Sequence, residues 1–65
     1  MVTVEDIEGV TFVDRSFFST EMKVWARPPF KRDDPLYNER AHDYRERISA
    51  LAFKEGFEKV ALEFR

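Results

Sequence analysis

Cysteine and glutamine are absent from the chain, glycine occurs only at Gly9 and Gly56, and His42 is the only histidine. Without cysteine there is no disulfide and no thiolate for metal, redox or nucleophilic chemistry. Two isolated glycines form no glycine-rich loop to cradle a phosphate, and Ser16, Ser19 and Ser49 stand in no nucleophile motif. No run approaches the roughly 20 apolar residues of a membrane span. The start, Met1-Val-Thr-Val-Glu-Asp, lacks the basic and apolar regions of a signal peptide. The expectation is a cytoplasmic, non-enzymatic protein with no membrane association, no cofactor and no metal.

A strong basic excess is also missing. The net charge is −2, whereas a dedicated duplex-DNA binder draws most of its affinity from neutralised phosphates. The charge is unevenly spread. Residues 1–22 set Glu5, Asp6, Glu8, Asp14 and Glu21 against Arg15 alone, while residues 23–47 hold seven cations against five carboxylates.

What is abundant is aromatic. Seven Phe, two Tyr and one Trp make up 15% of 65 residues. A domain this short buries only about 60% of its unfolded surface. With disulfides excluded, aromatic packing or self-association must supply the remaining stability, each ring burying roughly 150–250 Å². Charged residues reach 37% and Asn38 is the only asparagine, a profile seen in proteins of hot environments.

The pattern predicts one α+β domain over residues 1–65, with a small antiparallel sheet in the order β-β-α-β and one long amphipathic helix on one face. From Phe18 to Arg27 apolar and polar residues alternate, a half-buried strand; Val10 to Val13 is β-branched and aromatic, with a turn at Asp14-Arg15-Ser16. That turn sets Phe12 opposite Phe18 on the core face with Val10, Met22 and Val24. Pro28-Pro29 ends the strand. Asp34 and Pro35 signal the N-cap and first residue of a helix running to Glu55, whose apolar stripe is Tyr37, Ala41, Tyr44, Ile48 and Leu51. Gly56 suits the C′ position, with Phe57 folding back on Leu51 or Ala52. Val60, Leu62 and Phe64 share one side of a third strand, and Met1 to Glu5 extends the first strand or adds a short fourth one.

One helix covers one sheet face. The other is expected to carry Thr11, Val13, Phe17, Lys23, Trp25, Arg27, Ala61 and Glu63. Trp25, between Lys23 and Arg27 on the same side of its strand, marks this face for a protein partner or a second copy of the chain, because Trp, Tyr and Arg dominate interface hot spots. Phe17, Lys23, Trp25, Arg27 and Phe30 are the candidate partner-binding residues. The competing reading has the N-terminal segment or Phe30 folding over Trp25 as a second small core. Phe53, outside the apolar stripe, belongs to a partner contact or packs beside Phe57.

A second function reads Trp25, Arg27, Lys31 and Arg32 as a single-stranded nucleic-acid site, with the ring stacking on a base and the cations taking phosphates. Asp33 and Asp34 follow at once and oppose it. A homodimeric structural protein is a third reading. Glu39-x-x-His42 has the spacing of half a di-metal site, but the matching helices are lacking, and a solvated helix face pairing His42 with Glu46 is the simpler account. By fold-level analogy alone, small ββαβ proteins without catalytic groups include virus-encoded inhibitors of host enzymes, an analogy that names no target.

Overall fold

The structure, a computed structural model, describes residues 2–15 and 20–65. A 3₁₀ turn, Val4–Asp6, precedes strands β1 (Val10–Asp14) and β2 (Glu21–Ala26), helix α1 (Tyr37–Lys54) and strand β3 (Lys59–Phe64). This is the α+β order the periodicities predict. The sheet, however, is mixed. Its order is β1-β2-β3, with β2 antiparallel to β1 and parallel to β3. An all-antiparallel sheet would need β3 beside β1. The chain instead gives the central place to β2, whose Met22, Val24 and Ala26 are at most 1% exposed. A helix joining two adjacent strands returns the chain in the same direction, so β3 runs parallel to β2.

The core lies between this face and α1. Met22, Val24 and Ala26 meet Tyr44, Ile48 and Ala52 of the helix, with Val60, Leu62 and Phe64 of β3 packed around them. The predicted helix stripe holds: Ala41, Tyr44 and Ile48 are buried, and Tyr37 and Leu51 half-buried. The Tyr44 hydroxyl donates to the Glu8 carbonyl at 2.7 Å, and burial, with the Glu8 charge second, raises its pKa.

β1 departs from regular alternation. Val10 pairs with Ala26, Phe12 with Trp25 and Val13 with Val24, so an extra residue, Thr11, is accommodated between Val10 and Phe12. Two valines three residues apart cannot share one face of a regular strand; a bulge lets both pack on the core. The Thr11 hydroxyl donates to the Trp25 carbonyl at 3.0 Å within this irregularity. The expected register is therefore corrected. Phe12 faces Trp25 and not Phe18, Val13 is on the core side, and Asp14, the expected first residue of the turn, is paired with Lys23 within the ladder, while Ser16 of that turn lies outside the described residues. Phe17 and Phe18 lie outside the described residues.

At the start of α1 the Asp34 carboxylate accepts the Leu36 N–H at 2.8 Å and its carbonyl accepts the Tyr37 N–H at 2.9 Å. Asp34 thus organises a lead-in turn, and the regular helix starts at Tyr37, two residues later than predicted. The far end is as read from Gly56. Phe57 N–H donates to the Ala52 carbonyl at 3.1 Å and Gly56 N–H to that of Phe53 at 3.0 Å, the paired bonds of a Schellman motif.

Among the described residues the N-terminal segment adds no fourth strand. Thr3 and Asp6 form a capping box around the 3₁₀ turn, which inserts Val4, fully buried, into the core. Arg15 ties three regions together: its guanidinium donates to both Glu5 carboxylate oxygens at 2.6 and 2.5 Å and to Glu55 at 2.7 Å. This guanidinium hydrogen bond lowers the Glu5 pKa to about 2. Among the described residues no helix is long and apolar enough to cross a membrane.

Candidate functional site: the open face of the sheet

The face turned away from α1 is built by the outward positions of three strands. Register sets Phe12, Trp25 and Glu63 in one row, Asp14, Lys23 and Ala61 in the next, and Glu21 and Lys59 in a third. In the last two rows an acid stands directly opposite a lysine, a stabilising cross-strand arrangement. The first row is different. The Phe12 and Trp25 rings lie 5.2 Å apart at 57°, and Phe12 is 59% exposed.

Trp25, half-buried, separates two shallow hollows. One, of about 520 Å³, is lined by Thr11, Phe12, Trp25, Arg27 and Arg65. The other, about 390 Å³, runs along Lys23, Ala61 and Glu63. The backbones of both arginines are fixed. Arg27 N–H donates to the Gly9 carbonyl at 2.7 Å and Arg65 N–H to that of Ala26 at 2.8 Å. Among the described residues, ion pairs tie Arg15 to Glu5 and Glu55 and Arg40 to Asp34, while no carboxylate lies within ion-pair distance of Arg27 or Arg65.

Of the residues singled out in the sequence, Lys23, Trp25 and Arg27 come together here. Phe30 does not: it meets Tyr37 and Tyr44 edge to face, with ring centroids 5.5 and 5.9 Å apart, on the helix side of the sheet. Trp25 is therefore not covered by Phe30, and Val4 carries the N-terminal segment into the core. Lys31 and Arg32 are exposed in the loop before α1 and line neither hollow. Phe17 lies outside the described residues. Phe53 is 56% exposed, while Phe57 packs on the core. His42 reaches Glu46 at 3.5 Å on the solvated helix face.

Sequence reasoning missed Phe12 and Arg65. The signal for Phe12 was the Val10-x-x-Val13 spacing, which a strand can bury only through a bulge. That for Arg65 was its two-residue offset from Glu63. Comparison with protein-family models, with curated proteins and with solved structures found no match for the chain.

Proposed function

We propose that the chain is a non-enzymatic docking module that binds another protein through the open face centred on Phe12 and Trp25. The observation carrying this reading is Phe12, 59% exposed against Trp25 on a face that α1 leaves bare. A large ring held in water adds nothing to the core, and contiguous exposed aromatic surface favours association. Trp25 with flanking Arg27 and Lys23 has the composition of an interface hot spot. A regulator or inhibitor of a larger protein fits this description.

The nucleic-acid reading has weaker support. Lys31 and Arg32, which would hold phosphates, are not on the face with Trp25, and Glu63, Asp14 and Glu21 interrupt any path for a phosphate backbone across it.

Site-directed photo-crosslinking tests the proposal. A benzophenone side chain is placed at Phe12, with Glu39 on the helix as a control, in cells of the protein's source. The expected result is a discrete protein adduct at position 12 only, lost in a Trp25→Ala background. Adducts at both positions alike, or nucleic acid alone at position 12, would sink the reading.

A further inference from the structure

The parallel ladder ends where Ala26 pairs with Phe64, and the next residues, Arg27 and Arg65, line the same hollow beside Trp25. Like charges side by side on neighbouring strands are destabilising. In the other outward rows of the sheet an acid stands opposite a lysine. Asp14 faces Lys23, Glu21 faces Lys59, Arg15 holds two carboxylates, and Arg45 lies over the Phe64 ring at 4.9 Å. Arg27 and Arg65 line one hollow, and among the described residues neither has a carboxylate of another residue in ion-pair range. Their backbones are held by N–H bonds to the Gly9 and Ala26 carbonyls, which keeps both residues at the edge of this hollow.

We infer that the segment docked on this face is an acidic peptide that seats an apolar side chain against Phe12 and Trp25 and lays carboxylates across Arg27 and Arg65. The inference rests on the docking role proposed above and adds the chemistry of the partner. An anion bridging the two guanidiniums removes their repulsion and forms charge-assisted hydrogen bonds. The hollow's apolar floor takes a side chain next to it. The charge is local, since Glu63 stands in the aromatic row and each of the far rows sets an acid opposite a lysine. A short acidic stretch matches that layout better than a continuous polyanion.

The test uses the full chain with ¹⁵N-labelled amides, followed at Thr11, Phe12, Trp25, Arg27 and Arg65. The probe is a blocked hexapeptide with two glutamates followed by leucine and phenylalanine. Parallel titrations use the same peptide with glutamine for glutamate, a twelve-nucleotide oligothymidylate, and the free protein at increasing concentration. Saturable shifts at these amides are expected with the glutamate peptide, with binding about ten-fold weaker for the glutamine peptide and for Arg27→Gln or Arg65→Gln. The amide spectrum confirms that each variant is folded. Equal binding of both peptides would overturn the acidic specificity and leave the docking role standing. Tighter binding of the oligonucleotide at the same amides would overturn both. Shifts that grow with protein concentration alone would assign the face to a second copy and overturn this inference, as would silence of these amides toward every peptide.

Discussion

At Gly9 the backbone takes a φ of +93°, and a Cβ there would press on the Arg27 carbonyl oxygen and come within 2.8 Å of the Tyr44 hydroxyl. Gly56 has a similar φ of +100° but nothing within 4 Å of its missing Cβ. The two glycines therefore separate conformational cost from steric cost. Gly56→Ala should cost about 1 kcal/mol, the left-handed penalty alone. Gly9→Ala should cost about 3 kcal/mol or more, since rigid backbone has to move. For a chain whose total stability is roughly 3–10 kcal/mol, that is the difference between a shifted urea midpoint and a largely unfolded protein. Equal midpoints would contradict the close approach of Gly9 to Arg27. The same approach links fold to site, because the Gly9 carbonyl receives the N–H that fixes the backbone of Arg27.

Between elements, the Arg15 clasp joins the 3₁₀ turn to the C-terminal end of α1 through Glu5 and Glu55. Glu5 has a folded pKa of about 2 against an ordinary 4.5. A depressed carboxylate pKa contributes stability that is fully present above the unfolded value and lost as pH falls through the folded one. The window is thus about pH 4.5 down to 2. Because the Glu5 side chain is 51% exposed, solvent screening holds the contribution to about 1 kcal/mol or less. Urea unfolding at pH 5 should find Glu5→Gln less stable than the parent by that margin, with the gap closing by pH 2. A constant gap would mean that Glu5 acts through packing and not charge. His42 and Glu46, both mostly exposed, form a pair of the kind that contributes little.

For the molecule as a whole, the elements with strong periodicity were legible before the structure: α1 from its Tyr37-to-Leu51 stripe, its end from Gly56, and β2 and β3 from alternation. Partner choice and register were not. Whether β3 joins β1 or β2 depends on which strand is buried on the core face, a tertiary property, and the placement of Phe12 depends on one bulge that local propensity does not encode. Half the candidate site followed from Trp25 and its neighbours; Phe30 misled because Pro28-Pro29 carries it to the other side. The open face also sets a scale for association. Three strands about 4.8 Å apart and six residues at about 3.3 Å give a footprint of roughly 300 Å², which suits a short docked segment of a partner and not the ~800 Å² per partner of a stable dimer. Sedimentation at tens of micromolar should therefore find a 7.8 kDa monomer; a stable species of twice that mass would require a larger contact surface than this face. The parallel pairing of β2 with β3 governs, finally, how the chain reaches its fold. Glu21 meets Lys59 only after the whole of α1 has formed or collapsed between them, whereas Asp14 and Lys23 lie within a short loop of each other. The long closure costs more chain entropy than the short one and is repaid only by contacts that include the helix. Closing β1 on β2 thus orders far less chain than bringing β3 home, and the sheet is complete only when the helix is in place.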